Sequence, residues 1–297
     1  MLTPLLALQS ALAAFTVYYL GAWFMGARAA QSAPGVPAEA RDTAAPSPAH
    51  LGIGLVTNFF DTLGIGSFAP TTAIYKFFKF VPDQFIPGTL NVGHTIPTII
   101  QAFIYTAAID VDEKTLILMI GAAVAGAWLG ASVVASWPKR TIQVGMGFAL
   151  LVAAGLFAWR NLGGGGTEVG TTGLEGTKLI LGLVGNFALG ALMTLGIGMY
   201  APCMILVGLL GMNAAAAFPI MMGSCAFLMP VASARFVQKH AYARRPALGL
   251  AIGGIPGVLA AAYIFTSLDI YYVRWLVVGV VLIAATMMLK SAFVDKD

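Results

Sequence analysis

Residues 62–70 read TLGIGSFAP and residues 194–202 read TLGIGMYAP, identical at seven of nine positions and 132 residues apart. The same offset pairs Pro87 with Pro219, Gly121 with Gly253, Ala125 with Gly257, and Gly147 with Gly279. A gapless offset kept over about 85 residues marks an internal duplication, because shared apolar composition alone has no register. The repeated segment also limits what each copy can form. Glycine is conformationally loose, and proline lacks the backbone N–H that a helix interior needs. Each half therefore breaks a helix at the same place.

Around these breaks the chain is 59% apolar and 9% charged, with a mean hydropathy of +0.87. Soluble domains carry about 25% charged residues, so this chain needs lipid as its solvent and reads as an all-α integral membrane protein. Its net charge of +4 fits basic cytoplasmic loops and gives no reason to expect a nucleic-acid partner. Cys203 and Cys225 both fall in apolar runs, where they read as small buried side chains outside any disulfide or metal site.

Residues 1–27 form an expected N-terminal transmembrane helix, since Leu5 to Met25 has the roughly 20 apolar residues that cross a bilayer core. Ala27-Arg28-Ala29 looks like a signal-peptidase site, but no Lys or Arg precedes the apolar run, so a retained helix is expected. Residues 28–50 carry Pro34, Pro37, Pro46 and Pro48 and read as an extended linker. The first repeat then spans 51–160, and a flexible hinge with Gly163 to Gly166 spans 161–176. The second repeat spans 177–297. Single transmembrane helices are expected at 86–108, 114–136 and 140–159, and again at 214–235, 246–266 and 270–292. The stretches 51–81 and 177–211 hold the breaks. Gly126 with Gly130, and Gly253 with Gly257, form G-x-x-x-G pairs that let helix backbones approach closely; within one chain they seal a bundle, and a homodimer is also compatible.

Inside a bilayer, irregular backbone persists only against protein or a watery cavity. Paired broken segments in two halves are the sequence's best pointer to a transporter's binding site. If each broken stretch is a re-entrant hairpin, each half has three full crossings, and the second copy is inverted. That arrangement puts twelve of the sixteen basic residues inside, against eleven if each stretch crosses once. An inverted repeat suits alternating access. No His-Glu-x-x-His, P-loop or nucleophile elbow is present, so neither catalytic residues nor a metal or cofactor is expected. Asp61, an ionisable group just before TLGIG, is either a coupling-ion site or a helix cap. His94 either titrates or donates to an anion, or bonds a backbone carbonyl. Asn58, Thr62, Thr89, Asn91, Thr95, Gln101 and Tyr105 complete a polar set in the first half. The second half offers the sparser Asn186, Thr194, Tyr200, Asn213 and Ser224. With few cations at membrane depth, an anion would be held largely by helix N-termini freed at the breaks.

The two glycine-rich turns ending in proline, LGIGSFAP and LGIGMYAP, are each followed after about 17 residues by a small-residue helix start, PGTLNVGHT and PIMMGS. With the basic loop ARFVQKHAYARR and the helices GAAVAGAWLGA and GGIPGVLAAA, they make residues 51–292 resemble the TauE/SafE family of sulfite and organosulfonate exporters. The turns carry fewer glycines than that family commonly has, and its Thr-Ser pair appears only as Gly88-Thr89 and Gly223-Ser224. The resemblance implies movement of small sulfur-containing anions across a bacterial cytoplasmic membrane. The expected protein is thus a multi-pass secondary transporter, with an anion channel or an intramembrane enzyme built on Asp61 and His94 as alternatives. Its site is expected at Gly64, Gly66 and Pro70, at Gly196, Gly198 and Pro202, and at Thr89, Asn91, His94 and Ser224 facing them, with Asp61 as the coupling group.

Overall fold

The computed structural model describes residues 3–134, 139–159, 161–162, 170–193 and 198–294, with side chains at all of these but 130–134, 139, 270 and 294. Helices make up 84% of it, and no strand occurs among the described residues. Each helix satisfies its own backbone polar groups, which is what a lipid-facing chain requires. Among the described residues, six helices are long and apolar enough to cross a membrane: Pro4–Ser32, Arg140–Trp159, Gly176–Met193, Ala214–Gln238, Arg244–Ser267 and Tyr271–Phe293. The protein is therefore an all-α, multi-pass membrane protein.

The helices are α1 (Pro4–Ser32), α2 (Ala38–Arg41), α3 (Pro48–Thr62), α4 (Phe68–Phe78), α5 (Ile86–Ala108), α6 (Glu113–Val134) and α7 (Lys139–Trp159). They continue with α8 (Gly176–Met193), α9 (Tyr200–Leu209), α10 (Ala217–Gln238), α11 (Arg244–Ser267) and α12 (Ile270–Val294). The order from α3 to α7 recurs from α8 to α12, down to a single 3-10 turn before α5 (Asp83–Phe85) and before α10 (Ala214–Ala216). The starts of α4 and α9 lie 132 residues apart, and those of α5 and α10, α6 and α11, and α7 and α12 lie 131 apart.

Compactness does not follow the two sequence halves. One unit comprises Met1–Thr62, Gly66–Ile104 and Cys225–Tyr263; the other comprises Leu63–Ile65, Tyr105–Ser224 and Ile264–Asp297. Each draws on both halves because the shortest helix–helix approaches run between them. In the first unit, a Cβ built on Gly253 or Gly257 of α11 would collide with the carbonyls of Leu51 or Leu55 on α3. In the second unit, Gly126 of α6 meets the Phe187 carbonyl of α8, and Gly190 of α8 meets the Ala123 carbonyl of α6. Glycine contacts of this kind bring backbones together where apolar burial gives no drive between helices in lipid. The glycine pair at 253 and 257 thus seals one unit, as does Gly126 in the other; the side-chain position of Gly130 lies outside the described residues.

Both broken stretches fold back on themselves. In the first unit, His50 at the start of α3 stacks edge-on against Phe80, just past α4, with ring centroids 5.6 Å apart. In the second, the Lys178 ammonium at the start of α8 lies 3.3 Å from a Cβ built on Gly211, just past α9. The Thr171 N–H donates to the Gly211 carbonyl at 3.1 Å beside it. Each pair is therefore a helical hairpin whose two ends lie together. At 1.5 Å per residue, α3 and α4 extend about 22 and 16 Å, short of a bilayer core of about 30 Å.

α1 is capped by Thr3, whose hydroxyl accepts from the Leu6 N–H at 3.2 Å, and it runs unbroken through Ala27 to Ser32. The Tyr19 hydroxyl donates to the Val92 carbonyl at 2.6 Å, and the Trp23 indole N–H to the Tyr242 hydroxyl at 3.2 Å. Where the sequence suggests an extended linker, α1 occupies the first residues and α2 forms within the rest. Gln31 caps α2 by donating to the Arg41 carbonyl at 2.8 Å, and Arg41 donates back to the Ala33 carbonyl. Of the glycine-rich hinge, Gly163 to Gly166 and Glu168 lie outside the described residues, while Thr171 is tied to Gly211 and Asn213.

Candidate functional site

The first break occupies Leu63 to Ser67, between α3 and α4. Its glycines are there for geometry: Gly64 sits at φ +97° and Gly66 at φ +90°, conformations that residues with a side chain rarely adopt. Gly64 packs against the Met204 methyl, 3.2 Å from where a Cβ would lie, whereas nothing lies within 4 Å at Gly66. Ser67 stands at the N-cap of α4, but its side chain makes no capping bond to that helix. Its hydroxyl and backbone N–H are turned to Asp61 instead.

A buried polar cluster surrounds this residue. Asp61 Oδ2 accepts from Gln101 Nε2 at 2.9 Å, and the same amide reaches Thr62 Oγ1 at 2.9 Å. Thr71 Oγ1 donates to the Ser67 carbonyl at 2.7 Å and lies 3.2 Å from His94 Nε2. His94 Nδ1 faces Asn58 Oδ1 at 3.0 Å, and Asn58 Nδ2 donates to the Gly54 carbonyl at 2.8 Å. Phe68 lies against the His94 ring at 5.7 Å between centroids. Asn58, Thr62, Thr71, His94 and Gln101 are all completely buried, and Asp61 and Ser67 are 3% exposed. Since buried polar groups are costly unless bonded, the cluster fixes α3, the break, α4 and α5 against one another.

The expected residues divide. Asp61 and His94 sit in the cluster, and Gly64 and Gly66 shape its turn. Thr89 is spoken for elsewhere: it donates to the Phe85 carbonyl at 2.7 Å and accepts from the Ala243 N–H at 2.8 Å, joining α5 to the start of α11. Asn91 donates to the Pro87 carbonyl at 2.9 Å on its own helix. Ser224 donates to the Ile220 carbonyl at 2.7 Å, with the Asn186 amide 3.4 Å away. Thr89 and Ser224 are thus held by backbone bonds rather than turned to an open site. Pro70 and Pro202 each lie in the first turn of a helix, α4 and α9, where a missing N–H costs little. Gly198 is exposed with nothing within 4 Å of a built Cβ, and Gly196 and Thr194 lie outside the described residues. Asp61 is bonded to Gln101 and faces Ser67, and His94 lies between Asn58 and Thr71; no hydrogen bond joins Asp61 to His94 among the described residues.

Ser67 and Thr71 are the members that reading for buried polar residues passes over, since short hydroxyl residues near a turn resemble caps. The duplication carries the missing signal. Moved 132 residues along, Asn58, Asp61, Ser67, Thr71, His94 and Gln101 become Gly190, Met193, Met199, Cys203, Ala226 and Ser233; only Thr62 keeps its side chain, as Thr194. In sequence, the polar set of this cluster is not repeated in the second copy.

Comparison with family models, with curated proteins and with solved structures finds no match in any of the three.

Proposed function

We propose that the protein is a secondary transporter that exports small sulfur-containing anions, sulfite or an organosulfonate, across a bacterial cytoplasmic membrane by alternating access and at the expense of an ion gradient. The observation that carries this reading is the pair of broken helical hairpins, at matching places in the two halves, with buried ionisable groups at the first break. The substrate class rests on the resemblance of the two turns and their following helices to the TauE/SafE exporters.

The hairpin ends at His50 and Phe80, and at Lys178 and Gly211, support a topology in which each hairpin enters and leaves on one face. Three crossings then remain in each half, which inverts the second copy. The matched contacts agree with such a relation: Leu55 meets α11 and Phe187 meets α6 through their carbonyls, and these two residues are 132 apart. For the anion, the helices that follow the breaks begin without a side-chain cap, at Ser67 for α4 and at Met199 for α9. Uncapped first-turn N–H groups and the helix dipole attract negative charge. Gly66 and Gly198 leave space beside each of these starts.

Flux of labelled sulfite, methanesulfonate, sulfate and chloride into proteoliposomes, with and without a pH gradient, tests the reading. Saturable, gradient-responsive flux of the sulfur oxyanions is expected, with Gly66→Leu and Gly198→Leu lowering it at least tenfold. Large unitary currents would instead favour a channel. Full flux in both glycine variants would remove the breaks from the mechanism.

A further inference from the structure

The hydrogen bonds around His94 can close with either of two sets of protons. Asn58 Nδ2 is committed to the Gly54 carbonyl, so Asn58 presents its oxygen to His94 and Nδ1 must carry a proton. On the other edge, Nε2 faces Thr71 Oγ1, which has one hydroxyl proton and two acceptors for it, the Ser67 carbonyl and Nε2 itself. If Thr71 turns to Nε2, His94 is neutral and the Ser67 carbonyl loses that bond. If Thr71 stays on Ser67 at the shorter 2.7 Å, Nε2 is left without a donor unless it gains a proton, which makes His94 a cation that donates to Thr71 Oγ1. The charge on His94 is thus coupled to the Thr71 hydroxyl bond to the Ser67 carbonyl, which keeps the Thr71 N–H at 3.1 Å in either state. Asp61 faces the N–H and hydroxyl of the same residue from the other side while accepting from Gln101, and only as a carboxylate does it offer both oxygens as acceptors.

We propose that His94, Thr71, Ser67 and Asp61 form a proton-binding site that clamps the first break, and that the proton is the coupling ion of the transporter proposed above. Taking up a proton on the Asp61 carboxylate weakens the acceptor that Gln101 bonds and Ser67 faces. Losing one from His94 Nε2 draws the Thr71 hydroxyl off the Ser67 carbonyl. Each step moves one proton and loosens the turn that carries Gly66. No other charge enters these bonds from the elements of the unit. α1 contributes the Tyr19 phenol, bonded to Val92, and Arg28 near its end. α3 adds only His50 at its start, α4 the Tyr75 phenol and Lys76 in its last turn, and α5 no charged side chain. α10 brings the Cys225 thiol and, in its last turn, Arg235, and α11 brings Arg244 and Arg245 at its start. The second half has Met193, Met199, Cys203 and Ala226 at these places, so one half carries the proton while the other carries only the fold.

Infrared difference spectra on acidification, recorded on the protein in liposomes without substrate, test the site itself. A carboxylic-acid carbonyl band present in the wild type and absent in Asp61→Asn is expected. Its titration midpoint should move by about one pH unit, tenfold in proton affinity, in Thr71→Val. A spectrum unchanged by Asp61→Asn, or a midpoint unmoved by Thr71→Val and by His94→Gln, overturns the site. Coupling is read from methanesulfonate, whose charge is fixed over the pH range, as the ratio of flux with and without a pH gradient. That ratio should exceed one severalfold in the wild type and fall to one in Asp61→Asn; a ratio kept in the variant overturns the coupling role. A normal band with no flux of any anion tested would leave the proton site standing and sink the transporter reading.

Discussion

Gly66 and Gly198 occupy matching places in the two breaks, and neither would meet an atom within 4 Å if it gained a Cβ. Gly66 holds a positive φ of +90°. Gly66→Ala should therefore cost about 1–2 kcal/mol through conformation alone, as thermal unfolding in detergent will show. Gly254 of α11 gives a second prediction: a Cβ there would sit 2.6 Å from Asn58 Nδ2 and 2.5 Å from Pro97. Gly254→Ala should push the Asn58 amide off His94 and alter the proton-dependent spectrum more than it lowers stability. At the α6 start, Asp112 Oδ1 accepts from the Thr115 hydroxyl at 2.7 Å and N–H at 2.8 Å. Those bonds hold its carboxyl below the usual carboxylate range, so the folded value is depressed. The cap's contribution is present above the unfolded value of about 3.9 and is lost as pH falls through the folded one. Asp112→Ala should cost about 1 kcal/mol near neutrality, a difference that shrinks progressively in unfolding scans run at pH values falling below the unfolded value.

At the scale of elements, each of the six stretches expected as single spans is a helix, α5, α6, α7, α10, α11 and α12, because apolar runs ended by charges at Glu113, Lys139 and Arg244 leave little freedom in their limits; of these, α7, α10, α11 and α12 are among the helices long and apolar enough to cross. The break, too, was legible, since Gly-x-Gly before proline admits no continuous helix. The folding back was less so: it shows only in contacts between residues 30 apart, such as His50 and Phe80, for which local pattern holds no trace. α2 escaped notice because four residues have no period, and it depends on Gln31 and Arg41 bonding across it. The backbone bonds of Thr89 and Ser224 are hidden for a similar reason: hydroxyls bonded to backbone look identical in sequence to hydroxyls awaiting a ligand. The contact between α3 and α11 yields a firm prediction. Gly253→Val would drive its side chain into the Leu51 backbone, where neither partner has a rotamer to yield, and should cost about 3 kcal/mol or more. Gly121→Val at the matching place in α6 meets nothing within 4 Å and should be tolerated.

At the scale of the molecule, the duplicated sequence and the two compact units divide the chain differently, and the difference can be tested. Residues 1–160 expressed alone lack α11, against which α3 and α5 pack, and should be degraded or trapped as aggregate. Coexpression with 161–297 should restore a complex that copurifies, whereas recovery of a folded, monodisperse 1–160 fragment would contradict the packing described above. The same arrangement has a consequence for how the chain is made. About 180 residues separate the end of α3 from the start of α11, so at about 5–20 residues per second α3 waits roughly 10–40 s after its own synthesis for the surface it needs. Through that interval a helix too short to span the bilayer, carrying Asn58 and Asp61, has to be sheltered by the insertion machinery or held at the headgroups.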